Sequence, residues 1–357
     1  MIALPQASIS PPLRSRDLGG RSVSVGVWLF IVAMLVGLMV VVGGATRLTG
    51  SGLSITEWKP LTGALPPLGD AAWFDIFAKY RATSQYRLIN QGITLDEFKI
   101  LFWWEWGHRL LGRAVGLVFA APFVVFLLTR RIPARLVARC FGLLALGGLQ
   151  GLVGWWMVKS GLEGRASVAP ERLAVHLGLA LFLLAALVWT GLEAWAGPPP
   201  SRGRTRQASG VLTAVFTAGV YFQCLLGALV AGNGAGRVDT DWPLMAGRWF
   251  PADYWHDGLW ATLAHSRPAV QFNHRLLAYG LLLAGLTLVM VRSAAGAASP
   301  TLQRLTVVCA FLLLVQAGLG VGALVFGDPL GLALAHQANA ALLLGATVAM
   351  AWCGRRG

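Results

Sequence analysis

The sequence predicts an all-α polytopic membrane protein of eight transmembrane helices, arranged as two duplicated four-helix bundles. Three observations predict it. Hydrophobic residues make up 56% of the 357 and charged residues only 12%, more apolar surface than a soluble fold can hide. Eight apolar runs are each long enough to cross a bilayer. Marks spaced along the first four runs return in the same order along the last four.

The runs lie at about 23–44, 106–128, 136–158, 173–196, 211–231, 272–291, 305–326 and 330–353. A tail of residues 1–22 precedes the first and carries Arg14, Arg16 and Arg21. The first run is longer than the core of a signal peptide and lacks a small-residue cleavage site, so a retained helix is expected. Asp17 counts against an organellar targeting peptide. Arg130, Arg131, Arg135 and Arg139 fall between the second and third runs, and Arg202, Arg204 and Arg206 between the fourth and fifth. Arg292 and Arg304 flank the sixth-to-seventh connection, and Arg355 and Arg356 end the chain. By the positive-inside rule these belong on the cytoplasmic side, which makes both termini cytoplasmic. The long connections 45–104 and 232–270 then face the other side. The net charge of +14 reads as arginine retained in cytoplasmic loops, not as a nucleic-acid surface. Cys140, Cys224, Cys309 and Cys353 lie in or beside apolar runs without a CxxC pair, as buried small hydrophobes do.

The repeat is visible in several places. Glu105-Trp106-Gly107-His108-Arg109-Leu110-Leu111 returns as Gln271-Phe272-Asn273-His274-Arg275-Leu276-Leu277. Gly148-Leu149-Gln150-Gly151-Leu152-Val153-Gly154 is echoed by Val315-Gln316-Ala317-Gly318-Leu319-Gly320. The expected halves are residues 23–196 and 209–353, joined by a cytoplasmic linker at 197–208 that holds Pro198-Pro199-Pro200. Four helices per half is an even number, so both halves keep the same orientation in the membrane.

Six histidines carry the chemistry or fail to. His108, His176, His274 and His336 stand near the start of the second, fourth, sixth and eighth runs, all toward the extracytoplasmic surface. Each half thereby offers two imidazoles from different helices. Two facing imidazoles inside a bundle suit bis-His haem iron; zinc wants a fuller donor set, and no Cys or acidic cluster supplies it. Arg109 and Arg275 follow a histidine at the polar boundary, where guanidinium can pair with haem propionates or snorkel to the interface. His256 and His265 lie in the second long loop without counterparts and read as solvated. Glu105 and His108 share a helix face. A carboxylate there is either a catalytic group or half of an ion pair with Arg109 or Arg113 at the mouth of the helix.

With these marks in place, the chain resembles the haem A synthase family, in the branch shared by mitochondria and related bacteria. The resemblance runs from Gly43 to about residue 350. It rests on Gly43-Gly44-Ala45-Thr46-Arg47-Leu48-Thr49-Gly50-Ser51-Gly52-Leu53-Ser54, on Ile55-Thr56-Glu57-Trp58-Lys59-Pro60, and on Glu105-Trp106-Gly107-His108-Arg109, Asn273-His274-Arg275 and His336-Gln337. It implies oxidation of the C8 methyl group of haem O to a formyl group, giving haem A for terminal oxidases. It implies His108 and His176 as axial ligands of the substrate haem, and His274 and His336 as ligands of haem b. Glu105 supports that division, since only the first half has a carboxylate beside its histidine; Gln271 of the second cannot act as a base. The resemblance implies a bacterial inner-membrane location, a haem O synthase and an oxidase assembly factor as partners, membrane lipid around the helices and an electron donor that the sequence does not name. Some bacterial members carry a cysteine pair in the first long loop; this chain has no cysteine there.

Two rival readings compete. A dihaem b-type cytochrome carrying electrons from quinol needs histidines at both ends of its helices, whereas here all four cluster toward one end. A transporter would be expected to hold its ionisable groups near the midplane.

Overall fold

The computed structural model describes residues 20–60, 62–198, 204–255, 258–295 and 299–356, the side chains of 204–208 and 295 excepted. Among the described residues there is no strand, only an isolated bridge between Met245 and Arg248. Eight helices are long and apolar enough to cross a membrane: α1 (Val23–Leu48), α4 (Leu95–Leu128), α5 (Ala134–Leu162), α6 (Pro170–Ala196), α7 (Arg204–Asn233), α9 (Arg267–Ala295), α10 (Pro300–Val325) and α11 (Leu330–Gly354). Three shorter helices, α2 (Asp70–Arg81), α3 (Ser84–Leu88) and α8 (Leu259–Ala264), lie in the two long connections.

Local chemistry sets the helix ends. Thr94 and Glu97 form a reciprocal capping box that starts α4, about three turns before the apolar run expected at 106. Asp96, Glu97 and Lys99 make those turns too polar for a hydropathy reading to register. In consequence Glu105 and His108 lie well inside the helix instead of at its mouth. Pro170 and Pro300 occupy first-turn positions of α6 and α10, where their missing N–H costs nothing. The fifth spanning helix begins at Arg204, inside the stretch expected as linker. Pro122 sits within α4 and cannot donate to the carbonyl of Val118; the Trp28 indole N–H donates to that carbonyl instead, at 2.9 Å.

α1, α6, α7 and α11 pack against one another at the centre. α4 and α5 flank one side of this group, and α9 and α10 the other. The core threads the whole assembly, from Trp28, Leu29 and Leu136 to Leu187, Val220, Leu302 and Met350. Outward surfaces are apolar as well: Met34, Leu117, Leu128, Leu283, Phe311 and Leu342 are all more than half exposed, as lipid-facing positions are. Gln337 of α11 donates to the carbonyl of Val40 in α1 at 2.9 Å, and Tyr221 of α7 donates to the carbonyl of Gly178 in α6 at 3.1 Å. These bonds join the first four spanning helices to the last four. The backbone N–H of Ser22 donates to Ala194, and Arg356 donates to the carbonyl of Gly197, so both ends of the described chain meet the same end of the bundle.

The first long connection has its own small core of Trp73, Tyr80, Phe98 and Phe102, which seats α2 on the polar turns of α4, while α3 packs against α2 and α5. The four cysteines are free thiols, two fully buried.

Candidate functional site

All four spanning-helix histidines gather at the end of the bundle that carries the long connections. His176, His274 and His336 lie roughly two turns from the first residue of α6, α9 and α11. Each of the four rings rests on a glycine of a neighbouring helix. His108 packs on Gly43 of α1, His176 on Gly154 of α5, His274 on Gly227 of α7 and His336 on Gly320 of α10. A Cβ at any of these glycines would stand 2.8–3.1 Å from a ring atom, so the missing side chain is what seats the imidazole. All four histidines are part-buried. The rings of His274 and His336 lie 6.5 Å apart, centroid to centroid, at 77°.

Three glutamines attend the rings, and the sequence reading assigned them no role at a histidine. The amide nitrogen of Gln150 lies 3.2 Å from His176 Nδ1, that of Gln223 3.0 Å from His274 Nδ1, and that of Gln316 3.1 Å from His336 Nδ1. The signal was present: Gln150, Gln223 and Gln316 each precede their glycine by four residues, one helical turn.

Glu105 is buried and fully engaged. Its Oε2 accepts from the Ser54 hydroxyl at 2.8 Å and the Ile55 N–H at 2.9 Å; its Oε1 accepts from Arg109 Nη2 at 2.7 Å. The helix ion pair weighed in the sequence therefore forms, with Arg109 as the partner. Arg109 also donates to the carbonyls of Ile55 and Glu57, and Arg113 to those of Lys59 and Pro60. Arg275 repeats the arrangement on the second long connection, donating to the carbonyls of Asp239, Asp241 and Leu244. Both candidate propionate partners thus hold loop carbonyls, two for Arg109 and three for Arg275; Arg275 Nε remains buried and unpartnered. A cavity of about 320 Å³ lies between the first long connection and α4, walled in part by Glu57, Lys79, Trp106, Arg109 and Arg113.

His265 ends α8 with its Nε2 4.0 Å from Glu171 and its ring beside Trp260, so it joins the second connection to the first turn of α6 and is not a free loop residue. His256 lies outside the described residues.

The spacing of His274 and His336 fits haem iron. Two metal–imidazole bonds of about 2 Å end to end, with half a ring on each side, span about 6 Å, close to the separation of His274 and His336. Among the described residues no group of three or more His, Cys, Asp or Glu could hold a bare ion, while a porphyrin brings its own equatorial nitrogens and asks the protein only for axial ligands.

The chain matches the family model described as "Cytochrome oxidase assembly protein" over residues 26–348. It is 55% identical over 336 residues to a protein named heme A synthase from Caulobacter vibrioides, covering 94% of this chain and 97% of that one. It is 56% identical over 340 residues to the heme A synthase of Caulobacter sp. strain K31, with the same coverage. To that of Paracoccus denitrificans it is 46% identical over 330 residues, 91% of this chain and 86% of the relative. An eight-span helical chain that holds its histidines at one end and matches these proteins over nearly its whole length belongs to the haem A synthase family.

Proposed function

We propose that this chain oxidises the C8 methyl group of haem O to a formyl group, in a bacterial inner membrane with both termini in the cytoplasm. His108 and His176 ligate the substrate haem; His274 and His336 ligate a resident haem b, which supplies one-electron chemistry when bound. The two halves, residues 23–196 and 209–353, are duplicates that have taken these separate roles. The observation that carries the reading is the seating of four imidazoles on four glycines at one end of the bundle. Glu105 supports the choice of the first half for chemistry: it is a carboxylate one turn before His108, where the second half has Gln271. Removing protons and electrons from a methyl carbon benefits from a base or a negative charge nearby. Arg109 and Arg275 brace the connections over the two sites, with Arg275 Nε left for a propionate. A haem O synthase upstream and an oxidase assembly factor downstream are the partners this role requires.

The test is the pigment of cells that make haem O, with and without this chain. Chromatography of acid-extracted haems should show haem A only when the chain is present. Haem O persisting unchanged beside a stable, inserted protein would overturn the proposal.

A further inference from the structure

Three of the four imidazoles share one environment and the fourth does not. His176, His274 and His336 present the same edge to their glycines: Cε1 is nearest, then Nδ1, then Nε2. His108 is turned over and meets Gly43 with Nε2 at 3.1 Å, then Cδ2 at 3.5 Å. The three alike rings are those with a glutamine one turn before the glycine. On α1 the equivalent position is Met39, whose methyl lies against Gly112 of α4. A thioether donates nothing and accepts weakly. Among the described residues the His108 ring has no hydrogen-bond partner, whereas the other three each have at least one.

Axial ligation through Nε2 places a proton on Nδ1, which then needs an acceptor. The Oε1 atoms of Gln150 and Gln223 are buried without a partner. Each amide nitrogen also donates to the carbonyl of its own histidine, at 3.0 Å from Gln150 and 2.9 Å from Gln223, which ties the glutamine to the helix that carries the ring; a half-turn that brought the oxygen to Nδ1 would exchange that bond for one to the ring. His336 Nδ1 already lies 3.2 Å from the carbonyl of Gln316, whose amide oxygen accepts from Asn339 at 2.7 Å. Outer partners of this kind fix a ligand's ring orientation and strengthen its bond to metal.

We propose that His108 is the exchangeable ligand through which the substrate haem arrives and the product leaves, and that Gln150, Gln223 and Gln316 are positioning residues that lock the other three imidazoles. This rests on the haem-ligation reading above. A site that turns over needs one ligand that lets go; a site that keeps its cofactor needs none. The first pair has one locked ring and one free ring, and the second pair has two locked rings.

The experiment uses the full chain, purified in detergent from cells supplied with haem O, and mixed with excess apomyoglobin as haem acceptor. Haem should leave in two phases, the faster carrying haem O or haem A and the slower haem b, as chromatography of the acceptor fractions reads. Met39→Gln supplies the missing amide and should slow the faster phase about tenfold or more, leaving the slower one alone. Gln223→Met should speed the slower phase by a similar factor; it removes a polar side chain from a membrane helix, so it carries the test even where Met39→Gln does not accumulate. Unchanged phases in both variants, with low-spin spectra intact, overturn the proposal. His108→Ala and His274→Ala separate this from failure of the underlying reading: if neither alters the low-spin spectrum, the histidines are not the ligands at all.

Discussion

Glu105 and Gln271 each stand four residues before an arginine that clamps a long connection, yet they address their connections with opposite polarity. Glu105 accepts from Ser54 and Ile55. Gln271 donates to the carbonyls of Ala235 and Asp239. The two positions therefore do the same bracing with inverted hydrogen bonds, and the amide at 271 does not show that an amide is tolerated at 105.

The facing of His274 and His336 predicts a spectroscopic result. If this pair holds haem b as proposed, replacing either by Ala would remove one axial ligand, and the low-spin signal of the last four spanning helices should be lost in each variant. His265→Ala, whose ring faces Glu171 and Trp260, should leave it intact. A low-spin signal surviving in both His274→Ala and His336→Ala would separate this pair from haem.

Arginine placement predicts topology. Reporters fused after Arg131 and after Arg206 should read cytoplasmic, and one at residue 240 extracytoplasmic. Residue 240 on the same side as Arg131 would contradict the eight-span count, because α5, α6 and α7 lie between them; all three reporters reading the opposite side would reverse the orientation alone.

The bond between Trp28 and Val118 predicts a coupling. Trp28→Phe leaves the Val118 carbonyl unsatisfied beside Pro122, at a cost of about 1–3 kcal/mol beyond lost packing against Phe119 and Phe123. Pro122→Ala restores an N–H that bonds the carbonyl within the helix. Trp28→Phe should therefore cost about 1 kcal/mol less in the Pro122→Ala background than in the natural one, as read by unfolding in mixed micelles. Simple additivity would show that the indole N–H contributes nothing.

Glu57 predicts a pH dependence in the first connection. Its carboxylate is held below the usual range by hydrogen bonds from Lys59 first and Lys79 second. A carboxyl depressed in the folded state stabilises it above the unfolded pKa of about 4.3, and that contribution is lost as pH falls through the folded value. Amide protection across residues 57–79, taken relative to the intrinsic exchange rate at each pH, should therefore fall on acidification from about pH 5 to about pH 3. Glu57→Gln should show low protection throughout, with a flatter dependence on pH.

How much of this was legible in the sequence depends on distance along the chain. The spans were legible because apolar length needs no partner. The start of α4 was placed at 106 because hydropathy hides its first turns, although Thr94 and Glu97 carried the capping signature. The four histidines were legible as a set through their repetition. Their glycines were not, since a glycine in an apolar run announces nothing until a ring is found on it. The pairing of Glu105 with Arg109 follows from helical spacing. Ser54 and Ile55, some fifty residues upstream, reach Glu105 only once the first connection has folded over α4.

That fold-back decides how Glu105 must be tested. Glu105→Gln alone keeps one acceptor oxygen and sets an amide donor against either Arg109 or the Ser54 and Ile55 donors. It also strips a half-buried guanidinium of its counter-charge, which destabilises the fold when the partner stays. Loss of haem A in that variant would not separate chemistry from bracing. Glu105→Gln combined with Arg109→Met removes both charges together and should restore accumulation in the membrane. Arg109→Met alone keeps the carboxylate with its two loop donors. If the carboxylate serves the oxidation, Arg109→Met should still make haem A, while the double variant should make it about a hundredfold more slowly or less and should accumulate haem O. Equal rates in the two variants would make Glu105 a clamp and nothing more.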